Sequence, residues 1–367
     1  MRLVDAFCGT GGWSAGAIGA GCTPILGIDC DHTPLQLWAA NCAPAGRAAC
    51  ATLGTDEVDW PEAEPDVHVH LSPPCTSLSK ARAGSAPAES VASALAAVRW
   101  AVQLVLDRGY ASWSLENVAT PAVVACLREI AQQQPTRVAF MVLDAADYGV
   151  PSSRVRLIAS TPEAIRALKE VPVRRVSVAE AFAVAGVPLP SDWIKSNTTN
   201  RDGSPCVRSV RRRPARCPPH ISSRRTLTHA AATPLRQVQQ PSFTVTASHP
   251  LIWARRDGTT VRCLTVAESA LLMGFEKEWK LPQGSRAGLR AVGNAVPPPL
   301  AYAVMTAATG RAHAPVALPP PSPESPSTSY EEPPLPATTL AKLQGSVRRL
   351  KRRLGELERR AEPAPVP

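Results

Sequence analysis

Several marks of secreted, metal-binding and membrane proteins are absent from this sequence. No run of apolar residues reaches the roughly 20 that a membrane-spanning helix needs. The ten cysteines are scattered, with no Cys-x-x-Cys pair and no Cys/His spacing typical of a zinc site. Residues 1–7 enter a predicted strand at once, without the apolar stretch of a signal peptide. These absences predict an intracellular protein with no disulfide framework, no metal and no membrane contact.

The composition is that of a globular, basic protein. The chain has 367 residues, 44% of them hydrophobic and 19% charged, which is enough for two domains with a sizeable core. The formal net charge is +10 and the sequence pI is about 9.4. A polyanionic partner is therefore the first expectation, and arginine used only for solubility is the alternative.

A stiff turn that carries Cys75 is the centre of the sequence. Residues 66–71 alternate like a strand and end at Pro73 and Pro74, which cannot continue a strand ladder. Cys75 is thus predicted just past the carboxyl end of a buried strand, where ligands bind in an open α/β sheet. The small, polar residues 76–88 favour a loop that closes over an anionic ligand. The alternative is an ordinary loop with an inert thiol.

A glycine-rich turn near the amino terminus predicts a nucleoside site. A strand at residues 3–7 leads through glycines into a helix at 13–18, and such glycines let a ligand approach the backbone. The next strand, 24–28, ends at Asp29, whose carboxylate is placed to accept hydrogen bonds from ribose hydroxyls. Tight packing is the alternative for the glycines, and Asp31 is placed to cap the following helix.

Strands and helices alternate through Ala159, which predicts an α/β fold with a doubly wound parallel sheet. Glu116 and Asn117 lie at the tip of one predicted strand, and Arg154 and Arg156 begin another, on one face of it. The remaining predictions are strands at 48–53, 111–118, 137–143 and 154–159 and helices at 33–41, 89–106 and 122–132.

The character of the sequence changes after residue 160, which divides the chain. Residues 161–259 are predicted to form a small basic domain that contacts phosphates, with arginines concentrated between Arg208 and Arg225 and a strand at 241–247. Residues 260–310 return to the first domain, with a helix from Val266 to Met273 and a turn at 293–299 into a last helix. A disordered Pro-rich linker at 311–337 and a short basic coiled coil at 338–361 complete the prediction.

Six separated blocks within residues 1–310 resemble, in order and spacing, the motifs of the DNA cytosine-5 methyltransferases. The blocks are residues 5–12 with Asp29 (cofactor motif and ribose-binding acid), Pro73-Pro74-Cys75 (nucleophile), Glu116-Asn117-Val118 (acid), Arg154-Val155-Arg156 (double arginine), residues 241–247 (target-recognition strand) and residues 293–297 (return motif).

The resemblance implies a Rossmann-like, S-adenosylmethionine-dependent methyltransferase domain at 1–160 and a target-recognition domain at 161–259. It implies methyl transfer to C5 of a cytosine flipped out of duplex DNA, with no metal. It also assigns cofactor contacts to eight positions: Asp5, Phe7, Gly9, Gly11, Gly12, Asp29, Pro74 and Asn294.

The chemistry explains why these residue types occur together. The Cys75 thiolate is expected to add to C6 of cytosine, which turns C5 into a nucleophile. Glu116 is expected to donate a proton or strong hydrogen bond at N3. Arg156 is expected to stabilise charge at O2, with Arg154 in support.

Three departures from the family pattern accompany the intact chemical residues. Ser152 stands where the double-arginine motif usually has Gln, and residues 76–79 differ from the usual continuation after the nucleophile. Thr52 stands where the family has an Asp that contacts the adenine amino group, and Asp56 or Asp59 is the candidate replacement.

Three other functions are compatible with parts of the sequence. A tRNA cytosine-5 methyltransferase would keep the chemistry, a non-catalytic DNA-binding relative would keep only the scaffold, and a nicotinamide oxidoreductase would use only the glycine-rich turn. Protection of DNA in restriction-modification, marking of a genome and a viral role all fit the predicted reaction. The coil is equally compatible with self-association, partner docking and DNA contact.

Overall fold

A seven-stranded sheet organises the first 160 residues of the chain. The computed structural model describes residues 1–42, 46–78, 87–195, 235–282 and 284–310. The strands of this sheet are β1 (Arg2–Ala6), β2 (Thr23–Asp29), β3 (Arg47–Cys50), β4 (Val67–Leu71), β5 (Ser112–Val118), β6 (Ala139–Asp144) and β7 (Val155–Ser160). Their spatial order is β3-β2-β1-β4-β5-β7-β6, and the doubly wound α/β class predicted from the sequence is confirmed.

Nine α-helices are described, and six of them cover the two faces of this sheet. In chain order the nine are α1 (Gly12–Gly19), α2 (His32–Cys42), α3 (Ala88–Asp107), α4 (Pro121–Gln133), α5 (Pro162–Lys169), α6 (Val178–Val184), α7 (Val266–Leu271), α8 (Ser285–Asn294) and α9 (Pro298–Thr309). One core lies under α3 and α4, where Val98 and Val102 pack with Val69 and Trp113. The core on the other face joins α1, α5 and α9 through Trp13 and Leu300.

Helix α3 corrects one expectation from the sequence. Among the described residues it is the helix long and apolar enough to cross a membrane by length and composition. One side of it, including Val98, Val102 and Val105, is buried in the core under the sheet. Since core helices pass the same length test, this packing accounts for its apolar character.

Strand β7 departs from the predicted parallel sheet, because it pairs antiparallel with both β5 and β6. Strands β6 and β7 are joined by a short segment with one 3-10 turn, Ala145–Asp147, and no helix. A parallel pair needs a crossover of a dozen or more residues, usually a helix, so this short connection turns the chain back. Because β7 runs opposite to β5, Arg154 and Arg156 at its start lie beside the carboxyl end of β5.

A smaller antiparallel sheet follows, with strand order β11-β10-β8-β9. Its strands are β8 (Trp193–Lys195), β9 (Leu235–Gln237), β10 (Ile252–Ala254) and β11 (Thr260–Cys263). Side chains from this sheet and from α6, α7 and α8 share a third core that includes Phe182, Ile194, Trp253 and Val292.

Residues 241–247 are not the strand predicted from their alternation. Their backbone bonds instead to the segment before β7, where Ser242 N donates to Pro151 O at 2.8 Å and Ser153 N donates to Ser242 O at 2.9 Å. The predicted turn at Gly293 is also wrong at its start, because Gly293 lies in the last turn of α8. A Cβ on Gly293 would overlap the backbone of Thr246 and Ala247, so close approach explains this glycine.

Several predictions fall outside the described residues. They are the loop positions 79–86, the arginines between Arg208 and Arg225, the linker at 311–337 and the coil at 338–361. All described residues belong to one of two units in the chain, Met1–Ala317. The domain boundaries at 160 and 259 stay predictions. Helix α5 begins just after residue 160, yet it packs on α9 in the core against the large sheet.

Candidate active site

The predicted site residues meet at one edge of the large sheet. The carboxyl ends of β1, β2, β4 and β5 lie at this edge, and the antiparallel β7 begins there. Ligands bind at this edge in open α/β sheets. The arrangement brings Cys75, Glu116 and Arg156 within electrostatic range of one another.

The turn that carries Cys75 is held by both neighbouring strand tips. Ser72 Oγ donates to Phe7 O at 3.2 Å, which ties the turn to β1. On the other side, Asn117 Nδ2 donates to Pro73 O at 3.0 Å, so the tip of β5 supports the same turn. Cys75 itself is half-buried and Pro74 is exposed. Both prolines keep the turn stiff because their φ angles are restricted.

A buried ion pair faces the turn. Glu116 is 7% exposed, and Arg156 Nε lies 2.8 Å from Glu116 Oε1. The two residues are diagonal neighbours across β5 and β7, since Val118 is opposite Arg156 and Glu116 is opposite Ile158. The reading of these arginines as solvated edge charges is therefore excluded.

The surroundings of Cys75 favour a thiol in the absence of substrate. Burial raises the pKa of Cys75, and the Glu116 carboxylate raises it further. Arg156 and Arg154 oppose this effect by favouring the thiolate. The thiolate needed for attack is thus a minority form near neutral pH.

Arg154 contacts backbone carbonyls and not the acid. Its guanidinium donates to the carbonyl oxygens of Val245 (3.0 Å), Gly293 (2.9 Å) and Ala295 (3.1 Å). Burial, with Arg156 nearby, lowers the pKa of Arg154 to about 9, so the side chain stays charged at neutral pH. Arg154 therefore joins the start of β7 to the two segments that return to the site.

The glycine-rich turn combines an open position with a strand-tip acid. Gly9 has a φ of 53°, and no atom lies within 4 Å of the position a Cβ would take. Its N–H donates to Asp29 Oδ2 at 2.9 Å, and Asp29 Oδ1 accepts from Asp31 N at 2.9 Å. Asp31 Oδ1 in turn accepts from Thr33 N, as a helix cap does. The space above Gly9 suits a ligand that approaches the backbone.

Gly11, Gly12 and Asp5 lie on the protein side of this turn. A Cβ on Gly11 would overlap Cys42 Sγ, and one on Gly12 would overlap the carbonyl oxygen of Val296. Asp5 is fully buried, and its Oδ2 accepts from Ser14 Oγ at 2.6 Å. Burial raises the pKa of Asp5 to about 7. These three residues shape the turn through packing, the alternative noted for the glycines.

Phe7 and Asn294 occupy two further predicted cofactor positions. Phe7 is the non-glycine residue with a positive φ, 61°, in the described part of the chain. Its ring meets Trp100 edge-on at 6.3 Å between centroids. Asn294 is exposed at the end of α8. A positive φ at a bulky residue is costly and clusters at binding sites.

Asp56 and Asp59, the two candidate replacements for the family's adenine-contacting Asp, lie at different ends of β3. Asp59 pairs with Arg47 at 2.7 Å, at the amino end of the strand. Asp56 lies beyond the carboxyl end, where its Oδ2 accepts from Thr52 N at 2.7 Å. Only Asp56 is on the side of the sheet that carries Gly9 and Asp29.

Comparison with known proteins agrees with this geometry. Residues 137–309 match the family model described as C-5 cytosine-specific DNA methylase. Residues 137–309 thus carry the domain of this DNA methylase family. The family methylates cytosine and takes the methyl group from S-adenosylmethionine. No curated protein sequence matches this methylase.

Solved structures share the fold at low sequence identity. A candidate DNA modification methyltransferase from an Escherichia coli prophage is 16% identical, with a TM-score of 0.56, over 84% of this chain and 99% of that chain. The Entamoeba histolytica methyltransferase EhMeth is 12% identical, with a TM-score of 0.50, over 84% and 98%. The Schizosaccharomyces pombe methyltransferase Dnmt2 is 13% identical, with a TM-score of 0.48, over 84% and 98%.

The methylase has supporting residues that the sequence did not reveal. Asn41 and Lys280 exchange two hydrogen bonds, of 2.9 and 3.1 Å, which fasten α2 to the segment before α8. Arg262 pairs with the buried Glu268 at 2.6 Å beside the capping box of α7. Thr265 followed by Glu268 three residues later is itself a sequence signal for a capping box. The contact between Asn41 and Lys280 spans 239 residues and has no local signal.

Proposed function

We propose that this methylase transfers the methyl group to C5 of a cytosine flipped out of duplex DNA, through a covalent bond between Cys75 and C6. The observation that carries the proposal is the meeting of Cys75, Glu116 and Arg156 at one strand edge. Burial and charge at this edge suit a reaction in which negative charge develops on a ring.

The residues divide the reaction among them. The Cys75 thiolate forms a bond to C6, and the electron pair of the C5–C6 double bond becomes available at C5. Glu116 in its protonated form donates a proton or a strong hydrogen bond to N3, and the Arg156 guanidinium donates to O2, so that both stabilise the developing negative charge. After methylation a base removes the C5 proton, the double bond re-forms and the thiolate leaves.

Cofactor binding is assigned to the turn and strand tip next to this edge. S-adenosylmethionine, when bound, supplies an electrophilic methyl group on its sulfonium. The open space at Gly9 fits a group that lies against the backbone, and Asp29 is placed for ribose hydroxyls. Phe7, Pro74 and Asn294 border the same edge, while Asp5, Gly11 and Gly12 hold the turn in shape.

Duplex DNA is proposed as the substrate on the basis of charge and domain size. The net charge of +10 favours a polyanion, and the long basic region at 161–259 is the predicted target-recognition domain. Transfer of a tritiated methyl group to duplex DNA and to tRNA, compared side by side, tests this assignment. Transfer to tRNA alone would contradict it.

The covalent step has a direct test. A duplex with 5-fluorocytosine at the methylated position should trap the Cys75 adduct, because fluorine at C5 cannot leave as a proton does. We expect a stable protein–DNA complex with the wild type and none with Cys75→Ser. The exposed Cys50→Ser variant is the control and should trap DNA normally. The Cys75→Ser protein should still bind S-adenosylmethionine, and turnover by that variant would end the mechanism.

Self-association through the coil at 338–361 is a further proposal. Leu350→Glu with Leu354→Glu in the full chain would place charges on the predicted apolar seam. A change from dimer to monomer in sedimentation would support it, and a wild-type monomer would contradict it.

A further inference from the structure

Two exposed thiols lie on neighbouring strands at the edge of the sheet where the cofactor is proposed to bind. Cys30 directly follows Asp29, the last residue of β2, and Cys50 is the last residue of β3. Both cysteines are free and exposed, and the methyl-transfer mechanism uses neither of them. Because cysteine is among the residue types most often buried, this exposed pair calls for a role of its own.

The register of β2 and β3 brings the two cysteines within reach of a disulfide bond. Asp29 is the register partner of Cys50 in this parallel pair, and Ala51 N donates to Asp29 O at 3.1 Å just beyond it. With strands about 4.8 Å apart and a rise of about 3.3 Å per residue, the Cα atoms of Cys30 and Cys50 are about 6 Å apart. Disulfide-bonded cysteines have Cα atoms roughly 4.4 to 6.8 Å apart.

The sulfur of Cys50 already contacts Cys30. Cys50 Sγ lies 3.7 Å from Cys30 O, to which the thiol donates, and the two thiols are close enough for their charges to interact. The present contact is made with the carbonyl oxygen of Cys30. Closing a disulfide therefore has to turn Cys30 so that its own sulfur meets that of Cys50.

Turning Cys30 disturbs the neighbouring carboxylate. Asp29 Oδ1 accepts from Asp31 N at 2.9 Å, so the turn at residues 29–31 holds both the carboxylate and Cys30 in place. Asp29 Oδ2 accepts from Gly9 N at 2.9 Å, which sets the carboxylate beside the open space above Gly9. In the sheet, β2 lies between β3 and β1. A bond from Cys30 to Cys50 would draw this turn toward β3 and away from Gly9, which follows β1.

We propose that Cys30 and Cys50 form a reversible disulfide that weakens the binding of S-adenosylmethionine, a role that rests on the proposed contact between Asp29 and the cofactor ribose. The oxidant is a small-molecule disulfide. Such a bond is transient in a reducing compartment, as redox-sensing disulfides usually are.

The exchange runs in two steps. Burial and the Asp29 carboxylate raise the pKa of Cys30, so the first attack is assigned to Cys50. Its thiolate bonds to one sulfur of the oxidant and expels the other as a thiolate. The Cys30 thiolate then attacks the Cys50 sulfur of this mixed disulfide and expels the second small thiolate. The protein thiols lose two electrons and two protons, and the oxidant becomes two thiols.

The test compares the affinity of the full-length protein for S-adenosylmethionine after reduction with dithiothreitol and after oxidation with glutathione disulfide. Calorimetry measures the Kd, and mass spectrometry of a non-reduced digest locates the bond. Cys30→Ser and Cys50→Ser each remove one partner, and Cys263→Ser, which removes another exposed thiol, is the matched control. Binding is measured instead of methyl transfer, because oxidation of Cys75 would stop transfer by itself.

We expect oxidation to weaken binding by the wild type and by Cys263→Ser roughly 10- to 100-fold, as for the loss of one or two hydrogen bonds to a charged group. Dithiothreitol should restore the affinity. Cys30→Ser and Cys50→Ser should keep the affinity of the reduced wild type under both conditions.

Three results would overturn the inference: no bond between Cys30 and Cys50 within one chain, a bond that leaves the affinity unchanged, or an equal loss of affinity in either serine variant. Failure of the proposed cofactor site looks different. In that case Asp29→Ala would bind the cofactor as tightly as the reduced wild type does.

Discussion

The reactivity of Cys75 is set by opposing neighbours. Burial and Glu116 raise the pKa of the thiol, and the two arginines limit the rise. Because the thiolate attacks, adduct formation should speed up with pH, by about tenfold per unit while the thiol predominates. Trapping on 5-fluorocytosine DNA from pH 6.5 to 8.5 measures this step before proton removal. A rate that is flat over this range, with DNA binding unchanged, would contradict the assigned thiol.

Two matched variants distinguish a catalytic role of Glu116 from that of an ordinary ion-paired carboxylate. Glu116→Gln should slow methyl transfer by about a hundredfold to ten-thousandfold, the usual contribution of acid–base catalysis. Glu129→Gln is the matched control, because Glu129 also pairs with an arginine, Arg99, at 2.7 Å, but on the exposed surface. Single-turnover rates of the two variants should differ widely. Similar rates would remove Glu116 from the chemistry.

Among the secondary-structure elements, those with local signals were predictable and those set by distant contacts were not. The proline turn, the glycine-rich turn and the capping box from Thr265 to Glu268 each follow from a few adjacent residues. The direction of β7 does not, since it depends on how β6 and β7 are joined. The predicted turn started at Gly293, yet Gly293 and Asn294 belong to helix α8, whose Val292 packs in the third core.

Arg154 shows how one such long-range contact joins elements. Sequence spacing paired it with Arg156, whereas the structure has it bond three carbonyls from two returning segments. Arg154→Met would leave these buried acceptors without a donor, and we expect a loss of about 3 kcal/mol in unfolding free energy. Urea denaturation measures this loss. Arg128→Met on the exposed face of α4 should change stability by less than about 0.5 kcal/mol, and equal effects would refute the joining role.

At the scale of the whole molecule, a buried polar row crosses the sheet beneath α1. Asp5, His70, Ser114 and Ser160 are register partners on successive strands. His70 Nδ1 and His68 Nε2 each lie 2.9 Å from Ser114 Oγ, and Trp13 stacks on the His70 ring at 3.3 Å. Burial lowers the pKa of His68 to about 3 and that of His70 in the same direction.

These histidines should make the fold sensitive to mild acid. A histidine whose pKa is lowered in the fold contributes its full stability when the pH is above its unfolded-state pKa of about 6.5. This contribution to the free energy of unfolding is lost as the pH falls toward 3. Asp5 acts in the opposite sense between about 4 and 7, because its pKa is raised. Between about pH 4 and 6.5, unfolding lets the two histidines take up two protons while Asp5 releases one. The net uptake of one proton makes the free energy of unfolding fall by about 1.4 kcal/mol for each unit that the pH falls. Unfolding free energies at pH 7, 6 and 5 should therefore fall less steeply in His68→Gln/His70→Gln than in the wild type. The exposed His32→Gln variant should retain the wild-type slope, and equal slopes in all three proteins would show that the buried histidines are not the cause.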